Sequence, residues 1–165
     1  MEEQRKPLVF IVEDDEMYSM VLDYKLSNDS IFRFVCFTNG EECVKNLHMR
    51  PMMVILDYDL PGMNGIQTTA EIQRFDPHLP VIVITAKPNK ETAMRFIKMG
   101  VLDYLNKEKD TSGKIMSLLN SFLVKKTRVL RETANTLNKQ ILDGLMFLLL
   151  ITGMILLMYC FELKF

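Results

Sequence analysis

Four short apolar runs in this sequence each lead into polar residues that could act together in chemistry. In chain order, the runs lead to the carboxylates Glu13 and Asp14, the carboxylate Asp57, the hydroxyl Thr85 and the amine Lys107. Short apolar runs bounded by turn residues are typical of strands that a parallel sheet buries on both faces. Because ligands of such sheets bind at the carboxyl ends of the strands, we expect these side chains to lie close together.

These residue types favour a divalent cation and a phosphoryl group. Clustered carboxylates without His or Cys are hard oxygen ligands, which suit Mg²⁺ (or Mn²⁺) better than zinc. Asp57 could act as the nucleophile, since aspartyl phosphates are established covalent intermediates. The cation would reduce the repulsion between this carboxylate and a phosphoryl group. Lys107 would neutralise oxygens that the cation does not reach, and Thr85 would donate its hydroxyl to one of them.

An alternation of strand and helix patterns must position these residues. The pattern predicts strands at 7–12, 31–37, 52–56, 80–84 and 101–105, with helices at 16–28, 40–49, 65–75 and 90–99. Asn39, Asn64 and Asn89 lie near the predicted starts of the last three helices, where asparagine is a favoured cap. Five strands that alternate with helices predict an α/β fold with a doubly wound parallel sheet.

On these residues, the chain from about Pro7 to about Leu123 resembles a response-regulator receiver domain of two-component signalling. The resemblance implies a flavodoxin-like sheet with strand order 2-1-3-4-5. It also implies that Glu13 and Asp14 are the acidic metal-binding pair, that Asp57 is both a metal ligand and the phosphoacceptor, and that the main-chain carbonyl of Asp59 is a further metal ligand. Thr85 would be the switch hydroxyl, Tyr104 the switch aromatic and Lys107 the phosphate-binding lysine. The side chains of Asp59 and Lys87 would lie at the mouth of the site and tune dephosphorylation.

The resemblance further implies a phosphoryl switch rather than a turnover enzyme. A histidine kinase or phosphotransfer protein would donate the phosphoryl group to Asp57. Thr85 and Lys107 would move towards the new phosphate, and Tyr104 would rotate inward and change a surface that contacts a downstream protein. We expect output through a protein contact, because no nucleic-acid-binding or enzymatic output domain fits in the remaining residues.

Two departures from the family pattern concern the edge of the site. Glu108 follows Lys107, where the family usually has a proline, often after a cis peptide that aims the amine. A cis bond before a non-proline residue costs roughly 2.5–4 kcal/mol, so we expect a trans bond and a less certain aim for Lys107. We also expect Asp59 and Lys87 to form an ion pair across the mouth of the site and to slow water attack on the phosphoryl group.

Two other functions remain open at this point. A receiver-like module could bind partners without being phosphorylated, and Glu108 leaves room for this. Alternatively, Asp57-Tyr58-Asp59 resembles the DxD nucleophile motif of haloacid-dehalogenase-type phosphohydrolases, with Thr85 and Lys107 as later motifs. That family places its nucleophile on the first strand and requires another acidic motif after the lysine, neither of which fits this sequence.

The last third of the sequence predicts a helix that continues past the domain. No proline follows Thr111, and apolar residues recur at seven-residue intervals at Met116, Leu123, Leu130 and Leu137. A homodimer through 115–137 would be consistent with this spacing, although the second seam of the heptad is mostly polar.

A run of 17 uncharged residues, 145–161, then predicts a membrane helix. It is ~25 Å long as a helix, close to the ~30 Å hydrocarbon core. Five basic residues precede the run, Lys125, Lys126, Arg128, Arg131 and Lys139, whereas only Lys164 follows it. This asymmetry predicts a cytoplasmic receiver anchored to the inner membrane, and the basic stretch suits anionic headgroups rather than nucleic acid. An apolar helix buried in an oligomer is the alternative.

The expected organisation is therefore a receiver domain at 7–123, a basic helical linker at 124–143 and a membrane-spanning helix at 144–161. At 165 residues, the chain has room for one domain and such an appendage.

Overall fold

The structure of the chain is a computed structural model that describes residues 6–28, 31–108 and 110–162, with side chains up to residue 154. The chain divides into two compact units, Met1–Leu119 and Asn120–Phe165.

A five-stranded parallel sheet forms the centre of the first unit. Its strands are β1 (Leu8–Val12), β2 (Arg33–Phe37), β3 (Met53–Asp57), β4 (Val81–Thr85) and β5 (Asp103–Asn106). Neighbouring strands pair in parallel in the order β2-β1-β3-β4-β5. The α/β fold and its expected strand order are thus confirmed. Every residue of β1, β3 and β4 is buried, as the continuous apolar runs predicted.

The helices of the first unit alternate with the strands. They are α1 (Glu16–Ser27), α2 (Gly40–Lys45), α3 (Gly65–Phe75), α4 (Lys90–Met99) and the start of α5 (Thr111–Glu162), with a short 3-10 turn at Leu47–Met49. The side chains of Asn39, Asn64 and Asn89 accept hydrogen bonds from backbone N–H groups of α2, α3 and α4, so the three predicted caps are confirmed.

Most predicted element boundaries lie within one or two residues of the observed ones, and two of the differences have a clear structural cause. The helix predicted at 40–49 ends at Lys45, and Arg50 closes the following 3-10 turn in the left-handed conformation. β5 begins at Asp103 rather than at 101, because the N–H of Val101 still bonds to the carbonyl of Phe96 at the end of α4, 3.2 Å away. Both shifts arise from helix-end geometry that apolar periodicity does not contain.

Gly65 lets α3 begin directly against the end of β3. Its N–H donates to the carbonyl of Tyr58 at 3.0 Å. A Cβ at this position would lie 2.8 Å from the Tyr58 Cα and 2.9 Å from the Asp57 carbonyl oxygen, and both of these are backbone atoms. Only glycine therefore permits this approach between helix and strand.

The second unit consists of the continuation of α5. The helix runs unbroken to Glu162, which confirms that it extends past the domain. Its side chains are exposed from Lys125 to Ile151, including Leu145, Phe147 and Leu149, which are 53%, 67% and 66% exposed. By length and composition, this helix could cross a membrane.

We expect Gly65→Ala to destabilise the sheet by about 1–3 kcal/mol, because the added methyl group meets fixed backbone. The free energy of opening, measured by amide hydrogen exchange of β1, β3 and β4 in the full-length protein, should fall accordingly. Gly144→Ala is the control, since a Cβ there meets no heavy atom within 4 Å. Equal protection in Gly65→Ala and the wild type would contradict the close-approach argument.

Candidate functional site

Three carboxylates meet at the carboxyl ends of β1 and β3. The register of these strands pairs Val12 with Leu56, so the next residues, Glu13 and Asp57, come side by side. One carboxylate oxygen from each of Glu13, Asp14 and Asp57 lies within 4.8 Å of the other two. Glu13 and Asp57 are buried, whereas Asp14 is exposed. The structure therefore brings together the acidic residues that the sequence placed at strand ends.

The register of the other strands brings the hydroxyl and the amine to the same edge of the sheet. Asp57 pairs with Ile84 across β3 and β4, and Thr85 pairs with Asn106 across β4 and β5. The N–H of Lys107 then donates to the Thr85 carbonyl at 2.8 Å. Parallel pairing thus places the start of the Lys107 side chain next to the end of β4.

The amine of Lys107 lies between the two buried carboxylates. Its Nζ is 3.0 Å from Asp57 Oδ2, 2.8 Å from Glu13 Oε1 and 2.7 Å from Glu13 Oε2. Burial lowers the pKa of Lys107, but the hydrogen bonds to Glu13 and Asp57 outweigh burial and raise this pKa above its ordinary value. Lys107 is therefore a fixed positive charge at neutral pH.

Glu13 has a strongly perturbed pKa. Burial, with a smaller contribution from the Asp57 charge, raises the pKa of Glu13 to about 7, although the Lys107 hydrogen bond acts in the opposite direction. The single ammonium group thus offsets only part of the cost of placing two carboxylates side by side in a dry site.

The hydrogen bonds of the described residues leave two carboxylate oxygens of the site unsatisfied. In the chain segments that the structure describes, two buried side-chain oxygens have no hydrogen-bond partner, Glu13 Oε2 and Asp57 Oδ1. Glu13 Oε2 forms an ion pair with Lys107 Nζ at 2.7 Å but no aligned hydrogen bond, while Asp57 Oδ1 has no donor among the described residues. A buried oxygen without a donor is costly, and oxygen-only ligand sets suit hard divalent cations. Glu13, Asp14 and Asp57 therefore fit a divalent metal ion.

Thr85 and Tyr104 lie on the side of the site that faces α4. Thr85 is fully buried, and its Oγ1 accepts a hydrogen bond from the N–H of Lys87 at 3.1 Å. The ring of Tyr104 is half-buried and stacks on Phe96, with centroids 5.7 Å apart. Its hydroxyl accepts from the N–H of Asn89, the cap of α4, at 3.5 Å. Tyr104 thus contacts both the core and the first turn of α4.

The expected ion pair between Asp59 and Lys87 is absent. Both residues are exposed, and none of the ion pairs found among the described residues joins them. The expectation was wrong because two solvated side chains gain little from pairing and lose rotamer freedom. The roles of the Asp59 carbonyl in metal binding and of Asp59 and Lys87 in dephosphorylation stay predictions.

The peptide bond before Glu108 is trans, since no bond in the described ranges is cis. This confirms the expectation from sequence. With this trans bond, the amine of Lys107 reaches both carboxylates.

Two residues near Lys107 were missed by sequence reasoning. Tyr18, in the first turn of α1, places its ring 4.6 Å from Lys107 Nζ, within the range of a cation–π contact. Thr111, at the start of α5, is buried and holds the turn after Lys107 through its hydroxyl. The only sequence signals were an aromatic residue four positions after Asp14 and a threonine at a predicted helix start.

Several known proteins are similar to this chain in sequence. Residues 9–120 match the family model of the response regulator receiver domain. The transcriptional regulatory protein ZraR of Klebsiella oxytoca is 31% identical over 103 residues, which are 62% of this chain and 23% of ZraR. The DNA-binding transcriptional regulator NtrC of Escherichia coli (strain K12) is 31% identical over 107 residues, 64% of this chain and 23% of NtrC. The chain thus spans less than a quarter of the length of these relatives.

A solved structure supports the same fold. The Mn²⁺-bound form of response regulator Rcp1 superposes with a TM-score of 0.62 at 21% identity, covering 68% of this chain and 91% of Rcp1. The family model covers more than half of the chain, and the sheet order is that of the family. This chain therefore belongs to the response regulator receiver domain family.

Proposed function

We propose that this chain is a phosphoryl-accepting switch in which Asp57 receives its phosphoryl group from a histidine kinase or a phosphotransfer protein. The arrangement around Asp57 carries the proposal. One oxygen of this buried carboxylate is paired with Lys107, and the other has no hydrogen-bond partner among the described residues. An oriented carboxylate with an unshared oxygen is a suitable nucleophile.

The transfer forms a bond between an Asp57 oxygen and phosphorus while the phosphorus–nitrogen bond of phosphohistidine breaks. The imidazole leaves with the electron pair of that bond, so the aspartate becomes an acyl phosphate. Lys107 is already 3.0 Å from the acceptor, where it can neutralise charge on the transferring group. The Thr85 hydroxyl can donate to a phosphoryl oxygen, because its only hydrogen bond in the described structure is one that it accepts from Lys87.

Glu13, Asp14 and Asp57 would hold Mg²⁺ or Mn²⁺, together with the Asp59 carbonyl. When bound, the ion supplies positive charge that lets an anionic nucleophile approach an anionic phosphoryl group. The oxygen-only donor set supports this assignment, as do the two buried oxygens that have no hydrogen-bond partner among the described residues. The Mn²⁺ bound by the similar response regulator Rcp1 supports it as well.

Output would pass through a protein contact on α4 and β5. Met94 and Ile97 on α4 are 51% and 67% exposed, and Leu102, just before β5, is 41% exposed. Tyr104 lies beside this surface and contacts the cap of α4, Asn89. Movement of Thr85 and Lys107 towards a phosphate would shift Tyr104 inward and change which partner this surface binds.

A membrane tether would complete the switch, with the receiver on the cytoplasmic side of the inner membrane. Apolar side chains on all sides of α5 are exposed between Leu145 and Met154. A helix that is apolar all round requires either lipid or protein around it. The exposed basic residues of 125–139 favour anionic headgroups next to that helix.

Incubation of the full-length protein, in neutral detergent, with a small phosphodonor and Mg²⁺ should add a mass of ~80 Da. The increment should be absent in Asp57→Asn, which lacks the nucleophilic carboxylate, and in the wild type with EDTA. Asp76→Asn is the matched control. The Asp76 side chain at the end of α3 accepts a hydrogen bond from the N–H of His78, and the side-chain oxygen of asparagine can accept the same bond. An equal increment in Asp57→Asn would refute the assignment, and no increment in the wild type would favour a bare interaction module.

Metal affinity should depend on pH through Glu13. A carboxyl group with a pKa of about 7 is mostly protonated at pH 6 and mostly ionised at pH 8, and only the ionised form is a good ligand. Binding of Mn²⁺, followed by the EPR signal of the free ion, should be about ten-fold weaker at pH 6 than at pH 8. Glu13→Gln should bind more weakly and lose this dependence, while Glu91→Gln on α4 should keep it. Equal wild-type affinity at both pH values would contradict the prediction.

Alkaline carbonate extraction should leave the full-length protein in the membrane pellet. Leu148→Lys with Leu149→Lys should move it to the soluble fraction, because each charge at the helix centre costs about 2.5–3.5 kcal/mol on insertion scales. Gln140→Lys, outside the apolar run, is the control and should stay in the pellet. Wild-type protein in the soluble fraction would refute the tether.

A further inference from the structure

We propose that Thr111 and Tyr18 are positioning residues that hold the Lys107 amine against Asp57 and Glu13, in the place of the proline that the family usually has after this lysine. The proposal concerns how the site of the proposed function is built, and it rests on that function only for its effect on phosphorylation.

The turn after Lys107 is organised around one buried hydroxyl. Thr111 Oγ1 accepts from the N–H of Glu108 at 2.8 Å and donates its hydrogen towards the carbonyls of Asn106 and Glu108, at 2.7 and 2.9 Å. Thr111 is only 2% exposed, so these partners do not compete with bulk water. The residues on both sides of Lys107 are thereby fixed to a single group on α5.

The backbone of Lys107 is held independently from the other direction. Its N–H donates to the Thr85 carbonyl at 2.8 Å, and the N–H of Glu108 also approaches the Asn106 carbonyl at 2.9 Å. With the Cα of Lys107 fixed by β4 on one side and by Thr111 on the other, its side chain starts from one defined place. This is the task that a rigid proline turn would otherwise perform.

Tyr18 constrains the other end of the side chain. The face of its ring lies 4.6 Å from Nζ, while the two carboxylates lie 2.7 to 3.0 Å away. An ammonium group is attracted to the negative face of an aromatic ring, most strongly where water is scarce. The ring therefore supports the amine from α1 without competing for the carboxylate oxygens.

A proline at position 108 would not improve this site. Proline has no N–H, so it would remove the donor that Glu108 gives to Thr111 and Asn106. The Thr111 turn and a proline turn are thus alternative ways to fix the backbone next to Lys107. Replacing Glu108 alone by proline would disrupt the Thr111 turn without supplying the rest of a proline turn.

The test compares variants in matched pairs in the full-length protein: Thr111→Val with Thr111→Ser, Tyr18→Leu with Tyr18→Phe, and Glu108→Pro with Glu108→Ala. The first member of each pair removes the hydroxyl, the ring or the N–H, and the second retains it. One readout is the rate of Lys107 acetylation by an N-hydroxysuccinimide ester without metal, measured by peptide mass spectrometry. Exposed Lys98 serves as the internal reference. The other readout is the rate of phosphorylation by a small phosphodonor.

We expect the first member of each pair to raise Lys107 acetylation several-fold and the second to stay near the wild type. Phosphorylation should slow by about ten-fold or more in Thr111→Val, since small misplacements of a charge-stabilising group are costly, and Thr111→Ser should restore it. Wild-type amide exchange of β1 and β3 in Thr111→Val would show that the strands before Glu13 and Asp57 remain folded, which a general loss of structure would not allow.

Equal acetylation of Lys107 within all three pairs would overturn the proposal. If Thr111→Val fails to fold, as judged by amide exchange of β1 and β3, the Tyr18 pair decides in its place. If the wild type accepts no phosphoryl group while acetylation still differs within the pairs, the proposed function fails and the positioning roles stand. The two ideas are therefore refuted by different results.

Discussion

Charge balance around Lys107 is the constraint on which the rest of this site depends. Two carboxylates that are almost completely buried lie side by side, and one ammonium group contacts both. Removing one partner from a buried ionic cluster costs about 3–5 kcal/mol, since the remaining charges stay desolvated. The sheet, the strand register and the turns into α1 and α5 must therefore all bring the amine and the carboxylates to one point. A bound divalent ion would neutralise the negative charge of the carboxylates that Lys107 alone does not neutralise.

The sequence was enough to predict the fold and to predict which side chains lie together at the ends of the strands. Apolar runs located the strands to within two residues, and Asn39, Asn64 and Asn89 marked helix starts because a cap is a local interaction between near neighbours. The carboxyl ends of parallel strands meet at the same edge of a sheet. Glu13 could therefore be predicted to lie near Lys107, although the two residues are 94 positions apart in the sequence.

The remaining features depend on side-chain packing that no periodicity encodes. The aim of Lys107 required the Thr111 turn and the Tyr18 ring, neither of which has a distinctive pattern in sequence. The expected pairing of Asp59 with Lys87 was wrong because opposite charge at neighbouring loop positions does not by itself overcome solvation. The end of α2 at Lys45 likewise depends on the left-handed Arg50, a local conformation unusual for a side-chain-bearing residue.

Because of the contact at Gly65, the two sides of the site differ in how closely they are packed. With only a hydrogen atom between the first turn of α3 and the backbone of Asp57 and Tyr58, α3 and the end of β3 have no free volume between them and resist relative displacement. Across the site, Lys87 is exposed, Tyr104 is half-buried and α4 presents much of its apolar surface to solvent. We therefore expect a displacement of Asp57 to be transmitted towards β4, β5 and α4 rather than towards α3, because the contact at Gly65 leaves α3 no room to yield.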